Sequence, residues 1–170
     1  MEKETILNDF NGIFDALATT VGLYNDQNFN EIPFEGSWTP AQVTQHIILA
    51  SKGFAGVLNA EVKDTERPID EKIGALKSIF LNFGTKMKSP DFIKPSLQDY
   101  DREAHLSQLK NIQSDIDQAI RSLDLSKTCI SFELPNMGFL TRLEAIYFVV
   151  FHTQRHTNQL NEIHQFLKLS

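Results

Sequence analysis

Two histidines near the end of the chain have the spacing of a metal-ligand pair. His152 and His156 are four residues apart, so on a helix their rings project from one face with their Cβ atoms about 5 to 6 Å apart. They follow the most apolar run of the sequence, residues 145–151, and share a helical line with Ala145 and Val149. Both rings are therefore expected to point inward, where an imidazole needs a metal ion or a hydrogen-bond partner.

A third inward histidine lies on another predicted helix. His46 belongs to an apolar stripe, and helix bundles commonly build metal sites from side chains on facing helices. Three neutral imidazoles suit Zn, Ni, Mn or Fe(II) and leave coordination positions open to water or substrate. The residues alone leave three roles open, namely a metal site, core histidines satisfied by hydrogen bonds, and surface or mixed roles. The other two histidines, His105 and His164, are expected to be solvated helix residues.

The second of four predicted long helices, which carries His46, has the clearest start in the sequence. Thr39 supplies the N-cap, Pro40 the first helical position, and Gln42 the third residue of a capping box. Trp38 precedes the cap and Val43 occupies the fourth helical position, which is the arrangement of a hydrophobic staple. This helix is therefore predicted to begin at about Pro40, and its apolar stripe continues to residue 57.

Apolar periodicity predicts the remaining long helices. They cover about residues 4–23, about 99–124, and Arg142 to about Lys168, the last with a capping box formed by Thr141 and Glu144. No strand pattern is convincing, so the predicted fold is all-α, a four-helix bundle.

The segment between the second and third long helices predicts how they are connected. Residues 59–98 contain three prolines and one short amphipathic piece, which indicates a long crossover with a short helix. A connection of this length lets the third helix run parallel to the second. We find no linker or repeat, so one domain over residues 1–170 is expected.

The composition and charge of the chain limit the classes of partner and the cellular location that we expect. Hydrophobic residues make up 41% of the chain, which is typical of a globular protein. The net charge of -6, without a basic stripe, argues against nucleic acid and anionic membranes as partners. The longest apolar run is far shorter than the roughly 20 residues of a membrane span, and the opening residues lack a signal-peptide core. With Cys129 as the lone thiol, we expect a cytoplasmic protein in which this cysteine is not a nucleophile.

Two segments resemble a known family. SWTPAQVTQHI, which ends just after His46, and FHTQRHTNQL, which holds His152 and His156, resemble the two signature regions of the DinB/YfiT-like superfamily. The order and separation of the histidines fit that pattern, as does the Pro-x-x-Gly link from Pro135 to Gly138. The resemblance covers essentially the whole chain, although only the two segments are specific. It implies an up-down-down-up four-helix bundle and one divalent ion held by His46, His152 and His156.

Two polar neighbours of the histidines each have two interpretations. Gln159 lies one turn beyond His156, where it would orient a metal-bound water or a histidine ring, or else fill the rim of a cavity. Arg155 lies close to His152 around the helix, where it would bind a substrate carboxylate. The alternative for Arg155 is a surface ion pair with Glu162 or with a residue of another helix.

The resemblance suggests three functions. The first is a metal-dependent thiol-S-transferase, in which a low-molecular-weight thiol such as bacillithiol becomes a thiolate and attacks an electrophilic small molecule. The second is a metal-dependent hydrolase, whose general base would come from another helix, for instance Asp15 or Glu103. The third is a bundle that binds a metal or ligand without catalysis. A homodimer is a reasonable expectation, because two-fold dimers are the commonest soluble oligomers.

Overall fold

Helices account for most of the residues that the computed structural model describes, which are residues 2–169. The α-helices are α1 (Lys3–Gly22), α2 (Asp26–Phe29), α3 (Pro40–Ser51), α4 (Phe54–Asn59), α5 (Ile73–Phe80), α6 (Arg102–Ser122) and α7 (Arg142–Leu169). The strands are β1 (Val62–Lys63), β2 (Thr128–Leu134) and β3 (Gly138–Thr141), and a 3-10 turn covers Asp91–Ile93.

The four long helices pack into a bundle around one core. α1 contacts α6 and α7, and α3 contacts the same two helices. Residues from all four helices join one hydrophobic cluster, to which α1 contributes the buried rings of Phe10 and Phe14. Burying such a ring contributes roughly 1.5–3 kcal/mol. The long crossover between the second and third long helices, with its short helix α5, is present as predicted.

Both predicted capping boxes are present and mark the starts of α3 and α7. In the first, Gln42 N donates to Thr39 Oγ1 at 3.1 Å, and Thr39 N donates to Gln42 Oε1 at 3.0 Å. In the second, Glu144 N donates to Thr141 Oγ1 at 3.1 Å, and Thr141 N donates to Glu144 Oε2 at 2.9 Å. Local chemistry thus places the first turns of the two helices that carry the inward histidines.

The second predicted helix is broken in the structure. α3 ends at Ser51, and α4 begins at Phe54 after a turn that contains Gly53, a residue of low helix propensity. The apolar stripe nevertheless continues across the break, because Phe54 and Leu58 are buried. The helix is therefore shorter than predicted. Beyond the break, Phe54 of the predicted stripe is buried, whereas Val57 is half-buried and Leu58 is buried in its place.

A small antiparallel sheet, which we did not predict, makes the chain mostly helical rather than all-α. β2 pairs with β1 on one side and with β3 on the other. The turn between β2 and β3 uses Asn136 (φ 64°) and Gly138 (φ 70°), two residue types that adopt left-handed conformations with little strain. Among residues 2–169, no helix has both the length and the apolar character that crossing a membrane requires.

Candidate metal centre

The three inward histidines meet in the core between α3 and α7. Their potential ligand nitrogens all lie within 4.8 Å of one another. The Nε2 atoms of His46 and His152 are 3.2 Å apart. Two nitrogens that bind one tetrahedral ion at 2.0–2.1 Å would be separated by about 3.3 Å. The cluster therefore consists of the three side chains that the sequence analysis singled out, at a spacing that suits a shared cation.

Hydrogen bonds select the tautomer of two of these rings. His46 Nδ1 lies 2.9 Å from the carbonyl oxygen of Ile93, and His156 Nδ1 lies 2.8 Å from Gln159 Oε1. Because a backbone carbonyl can only accept, His46 Nδ1 must carry the proton. Gln159 faces His156 Nδ1 with its amide oxygen, an orientation that assigns the proton of this ring to Nδ1 as well. The Nε2 atoms of His46 and His156 consequently carry lone pairs that a cation could use, and that of His46 faces His152 Nε2.

Burial keeps the three imidazoles neutral. Loss of solvent lowers the pKa of His46 below its ordinary value. The pKa of His152 lies well below the usual range because of burial first, and the neighbouring His156 and His46 second. Burial, followed by the nearby His46, lowers the pKa of His156 to about 3. Protons therefore compete weakly for these nitrogens near neutral pH, which favours metal binding.

Aromatic rings surround the donors. The Trp38 ring centroid lies 5.3 Å from that of His46, while Phe80 and Phe148 lie 5.9 and 5.8 Å from His152. Trp38 also packs against the core, as expected of a staple residue. These rings exclude water from part of the centre, which strengthens electrostatic interactions there.

Two contacts of the centre come from the crossover and were missed by the sequence analysis. The carbonyl of Ile93 accepts the His46 Nδ1 proton, and Ser89 Oγ lies 3.4 Å from the same nitrogen. Ile93 acts through its backbone, so its residue type carries no signal of this role. Ser89 lies in an irregular segment whose path could not be predicted from periodicity.

Gln159 and Arg155 take different positions. Gln159 contacts His156, which is the ring-orienting geometry. Arg155 donates from Nη1 to the carbonyls of Phe80 and Asn82, at 3.2 and 2.9 Å, and from Nη2 to the carbonyl of Thr85. Its guanidinium therefore contacts the backbone of the crossover.

The alternative ion pair of Arg155 has no support in the contacts of Glu162. The Glu162 carboxylate accepts instead from Asn158 Nδ2, at 2.9 Å.

The expectation that His105 and His164 are solvated was wrong. They are 2% and 9% exposed. The His105 ring packs against Phe29, and its Nε2 lies 2.9 Å from Gln45 Oε1. The His164 ring meets the edge of Tyr24 at 5.2 Å. Tyr24 and Phe29 belong to the segment between α1 and α3. The packing of this segment against His164 on α7 and His105 on α6 was not predicted.

No carboxylate joins the histidine cluster within residues 2–169. Asp15 Oδ1 accepts from Gln113 Nε2 at 3.0 Å, and Glu103 pairs with Arg102 at 3.0 Å. Cys129 is buried, and burial raises the pKa of its thiol, so it is a poor nucleophile. The donor set is thus purely imidazole, which fits Zn, Ni, Mn or Fe(II).

Comparison with known proteins agrees with this architecture. The sequence model of the DinB superfamily matches residues 9–160. None of the curated proteins compared with the chain matches it. Among solved structures, YfiT from Bacillus subtilis matches with a TM-score of 0.62 and 18% identity, over 98% of this chain and 88% of that chain. YfiT is described as a probable metal-dependent hydrolase with an unusual four-helix bundle topology, and at this identity the likeness shows the fold alone.

Proposed function

This chain belongs to the DinB superfamily, and from that premise we propose that it is an enzyme that requires a divalent metal ion held by His46, His152 and His156. One observation carries the proposal, namely the convergence of three neutral imidazoles within 4.8 Å. The Nδ1 partners of His46 and His156 support it, because they leave both Nε2 atoms without a proton.

We further propose that the reaction is the transfer of a low-molecular-weight thiol to an electrophilic small molecule. A divalent cation in this centre would supply Lewis acidity and stabilise an anionic nucleophile. Within residues 2–169 no thiol lies at the cluster, since Cys129 is buried elsewhere in the core. The Ser89 hydroxyl contacts the Nδ1 atom of His46, whereas the proposed ligand atom is Nε2. No carboxylate base lies in the cluster within residues 2–169, and a thiol needs such a base less than water does.

In this scheme the protein residues position and insulate the nucleophile. His46 and His156 keep their ring orientations through Ile93 and Gln159. Phe80 and Phe148 pack beside His152 and keep water from that side of the centre. Gln159 is proposed as a support for His156. Arg155, whose guanidinium contacts three carbonyls, is proposed to act on the crossover instead of on a substrate carboxylate.

Hydrolysis is the second candidate, and it is the activity described as probable for YfiT, whose fold this chain shares. The same three imidazoles would hold the ion, and water would replace the thiol as nucleophile. A hydrolase would need its base from the substrate or from solvent, because Asp15 and Glu103 bond to Gln113 and Arg102.

Metal content per chain is the first test. The protein purified without chelator, or incubated with Zn, Ni, Mn or Fe(II), is expected to hold about one ion, and His152→Ala is expected to hold almost none. His164→Gln is the matched control, because His164 lies on the same helix but outside the cluster. Equal metal content in wild type and His152→Ala would refute the site.

A paired activity screen of the metal-loaded protein then separates the reactions. Thiol consumption with electrophilic substrates, lost in His152→Ala and retained in His164→Gln, would support the transferase. Hydrolysis without added thiol, lost on chelation, would support the hydrolase. A loaded protein that catalyses neither reaction would favour the third function, a bundle that binds a metal without catalysis.

Several finer expectations belong to this proposal. They are the up-down-down-up direction of the long helices, a single domain over residues 1–170, a cytoplasmic location, a small-molecule substrate and a homodimer. Cross-linking and sedimentation would test the homodimer, and a monomer at micromolar concentration would refute it.

A further inference from the structure

The first part of the connection between α5 and α6, up to Ile93, begins and ends at the candidate metal centre. Phe80 closes α5 with its ring 5.9 Å from that of His152, and the carbonyl of Ile93 accepts from His46. The two histidine rings are themselves 5.0 Å apart. We call residues 80–93 the centre loop. Compact loops with neighbouring ends are frequently functional.

Arg155 holds the first half of the centre loop. It projects from α7 next to His156 and donates to the carbonyls of Phe80, Asn82 and Thr85. The last carbonyls of a helix have no partner within the helix, and a cation beside them also interacts favourably with the helix dipole. One guanidinium thus joins the end of α5 and the following turn to the helix that carries two of the proposed ligands.

His46 holds the second half. Its Nδ1 contacts the Ile93 carbonyl at 2.9 Å and Ser89 Oγ at 3.4 Å. Between the two anchors lie residues 86–88, all of them exposed. The position of Ile93 beside His46 therefore depends on anchors at both ends of the loop.

We propose that Arg155 is a positioning residue that holds the centre loop against His46, and that loop order and metal binding are coupled through the contact between His46 and Ile93. This inference rests on the proposed metal centre. When His46 Nε2 binds a cation, its Nδ1 proton becomes a stronger hydrogen-bond donor to the Ile93 carbonyl. By linkage, a loop that is held in place strengthens metal binding by the same factor.

Trypsin reports the order of the loop in the intact protein. Lys86 and Lys88 lie between the anchors and are exposed, whereas Lys110 lies within α6 and is cut only when that helix opens. Cleavage at each lysine is measured by mass spectrometry, with and without Zn. We expect Zn to slow cleavage at Lys86 and Lys88 several-fold, and to change cleavage at Lys110 less.

The variants are Arg155→Gln, Arg155→Lys and a matched control, Asn158→Ala. Asn158 lies on the same helix and bonds only to Glu162 in the described contacts, so its loss leaves the loop anchored. Arg155→Gln is expected to speed loop cleavage several-fold and to weaken Zn affinity about tenfold, measured by competition with a chromogenic chelator. Arg155→Lys keeps one charged donor group, so its loop cleavage rate and its Zn affinity are expected to lie between those of wild type and Arg155→Gln.

The outcomes separate this inference from the proposed function. Unchanged loop cleavage in Arg155→Gln would overturn the anchoring role, whatever the metal does. Faster loop cleavage with unchanged Zn affinity would overturn the coupling. A wild-type protein that binds none of Zn, Ni, Mn and Fe(II) would refute the proposed function and the coupling together, while the cleavage of the metal-free variants would still decide whether Arg155 anchors the loop.

Discussion

Acid is expected to lower the free energy of unfolding of the metal-free protein, and replacing His156 with Gln should remove a defined part of that decrease. The pKa of this imidazole is lowered from 6.5 to about 3, first by burial. Between these values the unfolded chain binds more protons than the folded chain, so the free energy of unfolding falls as the pH drops below about 6.5. Well above that pH, His156 contributes almost nothing to the slope of the unfolding free energy against pH.

The size of the effect follows from the same two values. Between pH 7.5 and pH 5.5, one such histidine lowers the free energy of unfolding by about 1.4 kcal/mol, which is a tenfold change in the unfolding equilibrium. The pKa of His156 in the folded protein lies far below 5.5. The decrease therefore comes from protonation of this histidine in the unfolded chain. His152 stays neutral in the variant, because burial is the first cause of its lowered pKa.

Urea unfolding in the presence of a chelator measures the effect, with the fluorescence of Trp38, the only tryptophan, as the signal. With a slope of about 2 kcal/mol per molar urea, the wild-type midpoint should fall about 0.7 M further than that of His156→Gln over this pH range. His105→Gln should give a similar difference, because burial lowers the pKa of His105 to about 4. Equal midpoint shifts in wild type and His156→Gln would show that His156 titrates alike in both states, and would refute the reasoning.

Four further substitutions test two side-chain contacts and two glycine positions. Gln159→Leu should weaken Zn binding about 10- to 100-fold in a chelator competition without unfolding the protein, and unchanged affinity would end the support role of Gln159. Arg67→Met should lower the free energy of unfolding by about 2 kcal/mol, because it leaves the fully buried carboxylate of Glu144 without its positively charged partner. Calorimetry should show a melting temperature about 4–8 °C lower, and a shift below about 1 °C would contradict this. Gly12→Ala should stabilise α1 by about 0.5–1 kcal/mol, since nothing lies within 4 Å of the new Cβ. Gly138→Ala should destabilise by about 1–2 kcal/mol, because its φ is 70°; urea midpoints that shift in the same direction for both glycines would count against this.

The starts of α3 and α7 could be predicted because they depend on neighbouring residues. Each capping box is complete within four consecutive positions, so Thr39 and Thr141 identify the first turn whatever the rest of the chain does. The inward positions of His46, His152 and His156 followed from apolar periodicity within each helix, whereas their meeting in one cluster was implied by the family resemblance. Local sequence thus predicted most of the helical fold and the inward positions of the three histidines.

The parts that escaped prediction depend on distant partners. β1 has only two residues and exists as a strand because β2 pairs with it. β2 does alternate between partly buried and exposed positions from Ile130 to Leu134, but the stretch is too short to separate from an irregular connection. His105 is buried because Phe29 and Tyr100 pack around it, and no pattern within α6 indicates those neighbours.

The long separation in sequence between His46 and the pair on α7 has a consequence for folding kinetics. An unfolded chain can present His152 and His156 together as soon as one helical turn forms, whereas His46 joins them only after α3 and α7 have docked. If docking follows the folding transition state, a bound ion stabilises the native protein without stabilising that transition state. Zn would then slow unfolding and leave the rate of refolding nearly unchanged. The ion would therefore stabilise the bundle kinetically after folding and would not nucleate its folding.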